Sequence, residues 1–202
     1  MKKIIAYALL LSVLLSCTKE NPYMTKQAIA AVDRFCGEYQ IISIETVDGA
    51  IDLDGDGIRS VDLMSEMQNT GWLGYSDPFD ELLSVVNPKT DKERTATIRL
   101  YFPTGAIGTD PVIQQTTRMV SVQFAYDVDD DGTITAPVGA FVGATGQYDY
   151  NSVQDVNFEI LDNWDLGLSG IIYLYDRSDN AFVYRKVRVI YHCVSTKQKT
   201  TK

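Results

Sequence analysis

The chain has 202 residues, with 27 acidic and 18 basic side chains, a net charge of −9 and one histidine. That length fits a single domain. An acidic chain without a basic patch repels nucleic acid and anionic lipid and attracts cations, which excludes nucleic-acid binding.

Lys2 and Lys3 precede an apolar run from Ile4 to Leu15. The run is shorter than the ~20 residues that span a bilayer, so residues 1–16 read as a signal peptide. Leu14-Leu15-Ser16-Cys17 matches the lipobox of bacterial lipoproteins, in which cleavage precedes the cysteine and its amine and sulfur are acylated, palmitate being the expected chain. The alternative is an ordinary secretory signal with an incidental cysteine. Removing residues 1–16 takes 202 residues to 186 and, with two lysines gone, the net charge from −9 to −11. The expected location is the cell envelope, on the outer membrane, held by acylated Cys17. Lys19 and Glu20 resemble charged export tags, and both the periplasmic and the surface face stay open.

After a tether at residues 17–24, one domain is expected over 25–195, followed by a polar tail at 196–202. Thr25 to Cys36 reads as a helix, with Ala28, Ile29, Val32, Phe35 and Cys36 on one stripe and Gly37 at its end. Tyr39, Ile41 and Ser43 then face one way and Ile42 and Ile44 the other, as in a strand covered on both sides. Ser60 reads as the N-cap of a short helix carrying Leu63, Met64 and Met67. Trp72 and Tyr75 lie in a loop that plugs a barrel end or lines its mouth.

From Asp80 the chain is strand and turn. Short candidates are Leu82–Val86 and Thr95–Phe102, the latter broken by Pro103, Gly105 and Gly108. A long strand from Ile113 to Tyr126 turns into Thr133–Ala136, and 137–146 is Gly-rich and irregular. Val156, Phe158 and Ile160 mark another strand. Gly170–Tyr175 and Ala181–Val194 form a final hairpin.

About eight short-linked strands behind one helix predict an all-β fold, an antiparallel up-and-down β-barrel, with a two-sheet β-sandwich as the competitor. Closure would bring the first and last strands together, and Cys36 and Cys193 stand at those two places. A disulfide there would close a loop of roughly 160 residues and contribute ~3–5 kcal/mol in the chain-entropy picture. Two free buried thiols are the alternative.

Asp52, Asp54 and Asp56 alternate ahead of Gly57, and Asp127, Asp129 and Asp131 ahead of Gly132. A tight turn aims every second carboxylate inward, and calcium takes six to eight hard oxygens. On the EF-hand pattern the first loop adds the Ile58 carbonyl and Ser60. Leu63 occupies the place of the bidentate acid, so Asp62 or Glu66 would substitute. The second loop adds the Thr133 carbonyl and Thr135, with Val138 in that place and no following helix. The first loop is expected to hold structural Ca2+; for the second, a solvated Asp-Gly turn competes equally.

A helix leading into Gly37-Glu38-Tyr39 resembles the Gly-x-Trp opening of lipocalins and other calycin-like barrels, with tyrosine for tryptophan. With the lipobox and the DLDGDG motif, the chain resembles lipocalin-like lipoproteins of Gram-negative gut bacteria. The resemblance implies a cavity for a small apolar or amphipathic ligand and no catalysis.

His192, alone in an alternating strand, is expected to be an ordinary strand histidine, and no Gly-x-Ser-x-Gly, phosphate loop or Cys-x-x-Cys is present. The expected function is therefore non-catalytic binding of a small hydrophobic ligand or glycan, with no enzyme activity. The alternatives are an accessory interaction module of an outer-membrane assembly, with a protein partner and a filled barrel, and a carboxylate-based hydrolase. A cavity lined by Tyr39, Phe124 and Tyr173 would mark the first.

Overall fold

Thr25 starts the first helix, α1 (Lys26–Phe35), by accepting the Ala28 amide on its side chain at 3.1 Å. Ala28, Ala31, Val32 and Phe35 form its buried stripe. The helix ends on extended Cys36, whose amide still reaches the Val32 carbonyl, and the chain passes directly into β1 (Gly37–Thr46). The structure is a computed structural model that describes residues 24–69, 84–86, 96–107, 117–136, 149–150 and 153–196. Residues 1–16 expected to form a signal peptide, Cys17, Trp72, Tyr75, the 137–146 segment and the end of the tail lie outside the described residues.

After β1 come α2 (Leu63–Asn69), β2 (Ser84–Val86), β3 (Ala96–Ile107), β4 (Thr117–Val128), β5 (Ile134–Thr135), β6 (Asp149–Tyr150), β7 (Gln154–Ile160), β8 (Leu166–Asp176) and β9 (Ala181–Thr196). Eight strands form one strongly curled sheet in the order β5-β4-β3-β2-β1-β9-β8-β7, and β6 pairs with the end of β3. All pairings are antiparallel. The first and last strands are neighbours in one sheet, which overturns the sandwich alternative. Among the described residues the ring is a half-barrel, open between β4 and β7.

Two strands depart from expectation. Ile41 and Ile44 are both buried while Ile42 is 52% exposed, because the β1–β9 register shifts between Ile41 and Ser43. One extra residue exchanges the faces beyond it, so β1 keeps one buried face instead of two covered ones. Pro103 and Gly105 do not end β3, which stays paired with β4 as far as Gly105 opposite Thr117. Proline is tolerated in a strand where its nitrogen is not asked for a ladder bond.

The curl brings β3 against β8 and β9. The Tyr191 hydroxyl donates to the Tyr101 carbonyl at 2.7 Å. Tyr39, Phe35, Phe102, Tyr126 and Tyr191 are fully buried inside the curl. Phe35 meets Tyr126 edge-on at 4.9 Å, and Phe124 meets Phe158 at 5.4 Å across the open side. Helix α1 covers this end, with Arg34 stacked on Trp164.

Cys36 and Cys193 carry free thiols, not a disulfide. Gly37 lies opposite Thr196 and Tyr39 opposite Cys193, so Cys36 is three residues along from its would-be partner. At ~3.3 Å per residue that offset is about 10 Å, beyond the ~7 Å over which Cα atoms can be bridged. The Cys36 sulfur lies 3.2 Å from the Tyr126 hydroxyl, while the Tyr39 hydroxyl donates to the Phe35 carbonyl at 2.8 Å.

The β4–β5 turn holds α1. The Thr25 hydroxyl donates to the Asp130 carbonyl, and Gly132, at φ +87°, packs on the helix so closely that a Cβ would sit 3.1 Å from the Gln27 carbonyl. Gly57 has a similar φ of +85° and open space around it. Gly132→Ala is therefore expected to lower stability by about 1–3 kcal/mol, from backbone strain plus contact, and Gly57→Ala by less. Urea midpoints measured in chelator compare the two.

Candidate metal centre

Beyond β1 the chain folds back on itself. Ile51 and Ser60 exchange backbone hydrogen bonds at 2.9 and 3.0 Å, closing the neck of the acidic loop. Ile51 and Leu53 anchor the loop in the core. Asp52, between them, is buried as well, at 1% exposure, with its carboxylate turned to the inside of the loop. Asp52 Oδ1 accepts the Gly55 amide at 2.6 Å, and Oδ2 accepts the Gly57 amide at 3.1 Å and the Ser178 hydroxyl at 2.6 Å.

Asp62, not Ser60, caps α2, accepting the Met64 amide at 3.0 Å; Ser60 Oγ accepts the Asp62 amide instead. The helix buries Leu63 and Met67 and brings Glu66 back under the loop. Glu66 Oε2 accepts the Leu53 amide at 2.8 Å and the Asp54 amide at 3.3 Å. Asp52, Asp54 and Glu66 thereby each place a carboxylate oxygen within 4.8 Å of the others. Of the two substitutes considered for the missing bidentate acid, Glu66 joins the cluster and Asp62 does not.

The remaining candidates lie apart. Asp56 is exposed and turns Oδ1 to the Ile58 amide at 2.7 Å, while Ile58 is 67% exposed. Asp127, Asp129 and Asp131 do not converge: among the described residues the one group of three acids close enough to share an ion is the Asp52 cluster. Asp131 instead accepts the Thr133 amide at 2.9 Å, and the turn serves as the seat of α1.

The hairpin turn between β8 and β9 completes the loop from 125 residues away. The Arg177 amide donates to the Asp52 carbonyl at 2.8 Å and its Nε to the Leu53 carbonyl at 2.7 Å. Arg59 reaches across to Asp176, at 3.3 Å, and to Asp179. Ser178, Arg177 and Asp176 escape a sequence reading because Asp176-Arg177-Ser178-Asp179-Asn180 looks like any polar turn. Gly55 also answers to this contact: a Cβ there would sit 2.9 Å from Arg177 Cδ.

The donor set suits a hard cation. It is all oxygen, two of its three carboxylates are buried, and the nearest guanidiniums spend their contacts elsewhere. The two buried acids are pulled in opposite directions. The Ser178 hydroxyl, with the Gly55 and Gly57 amides, holds Asp52 below its ordinary 3.8 against the effect of burial. Burial pushes Glu66 above its ordinary 4.5, reinforced by the Asp54 and Asp52 charges and opposed by the two amides.

The aromatic residues proposed to line a cavity do not share one. Tyr39 and Phe124 are core, while Tyr173 lies on the outer face, stacked on Phe182 at 4.9 Å and beside Tyr184 at 4.7 Å. His192 stands on β9, its Nδ1 2.7 Å from Oδ1 of buried Asp165. Comparisons with protein-family models, curated proteins and solved structures return no match to this chain.

Three outcomes follow from the loop chemistry. Folded Glu66 keeps a proton where the unfolded chain has released it. Stability in chelator should therefore fall as pH climbs from about 4.5 through the raised value, a slope that Glu66→Gln should remove. Asp52 has the opposite sign: its contribution is complete above 3.8 and is lost as pH falls through the lowered value. Ser178→Ala removes one hydrogen bond to Asp52 and should cost about 1 kcal/mol by urea denaturation at pH 7.

Proposed function

We propose that this chain is a lipid-anchored lipoprotein of the cell envelope, whose domain is a non-catalytic interaction module stiffened by one structural calcium ion. The observation that carries the module reading is the filled interior. Phe35, Tyr39, Phe102, Tyr126 and Tyr191 occupy the space a carried ligand would need, with α1 across one end and the acidic loop with α2 at the other. Binding then falls to the surface and loops, which favours a protein partner in an outer-membrane assembly over an apolar ligand within the curl. The convergence of Asp52, Asp54 and Glu66 supports the ion. Calcium would be held by those carboxylates, and its chemistry would be charge neutralisation, tying α2 to the loop. Loops lacking the bidentate acid belong to the ~10⁻⁴–10⁻³ M affinity class of extracellular modules.

A helix that leads into Gly37-Glu38-Tyr39 and a meander that returns to it support kinship with lipocalin-like lipoproteins. A carboxylate-based hydrolase would need two acids converging in a cleft of their own. Among the described residues the three that converge are two aspartates of the first Asp loop and Glu66 of α2 behind it, which favours ion binding.

Native mass spectrometry of protein purified from its host is expected to find one chelator-sensitive calcium ion and no organic ligand; a co-purifying lipid or glycan would overturn the filled-module reading. Millimolar calcium should raise the melting temperature of the wild-type domain. Glu66→Gln and Asp54→Asn should abolish the rise while leaving the chelated protein at least as stable, and an equal rise in these variants would remove the ion from this loop. In cells supplied with labelled palmitate, Cys17→Ala is expected to eliminate labelling and release the protein from the membrane fraction.

A further inference from the structure

We draw no further inference here: the strongest candidate, the ladder of Tyr173, Tyr175, Phe182 and Tyr184 on the outer face of the β8–β9 hairpin, turns its ring faces largely on one another, and nothing in the structure shows what covers it.

Discussion

The pairing of β1 with β9 joins two meanders, β1 to β5 on one side and β7 to β9 on the other. It brings together segments some 150 residues apart, so its hydrogen bonds form only after a large loop has closed. Once made, it creates the interior. Tyr39, Ile41 and Ile44 from β1 and Val187, Val189 and Tyr191 from β9 line adjacent rows of one core, and the curl carries β3 over them. The open side between β4 and β7 is spanned by aromatic contacts, with Phe35 of α1 reaching Tyr126 on one edge and Phe158 on the other.

Asp52 is the junction of the opposite end. Its side chain collects two loop amides and a hydroxyl from the far hairpin, and its carbonyl takes a third amide. Such bonds fix the loop but do not neutralise the charges of Asp54 and Glu66 beside it. Glu66 has two routes to neutrality, a proton or a cation, and they compete for the same carboxylate. Burial is the first cause of the raised affinity of Glu66 for a proton, and the charges of Asp54 and Asp52 that reinforce it are the same ones that underlie the proposed affinity of the loop for calcium.

Local features were legible in the sequence. Thr25, the Ala28–Phe35 stripe, the alternations in β3, β7 and β9, and the Asp-Gly turns each carry their signal within a few residues, and the all-β class follows from them. The alternating aspartates marked the loop at which three carboxylates converge, and Glu66 was within reach as a substitute acid. What could not be read depended on partners distant in sequence. The bulge at Ile41–Ser43 exists only against β9. Cys36 and Cys193 look adjacent if the strands end flush, and the actual register separates them. The second Asp loop shares the D-x-D-x-D-G pattern of the first, and there the sequence did signal the difference, a hairpin with no following helix to deliver a third acid. No local pattern announces that Arg177 and Ser178 will meet Asp52.

The ring ladder on the outside of the β8–β9 hairpin touches none of the acids, yet it clamps the two arms from which Arg177 and Ser178 project. Stiffness at the acidic loop is therefore borrowed through the thickness of the sheet. Rings on the convex surface hold a turn still, and the turn holds Asp52. Preorganisation of that kind reduces the conformational freedom surrendered on binding, so residues far from the carboxylates would help set how tightly the loop grips the proposed cation.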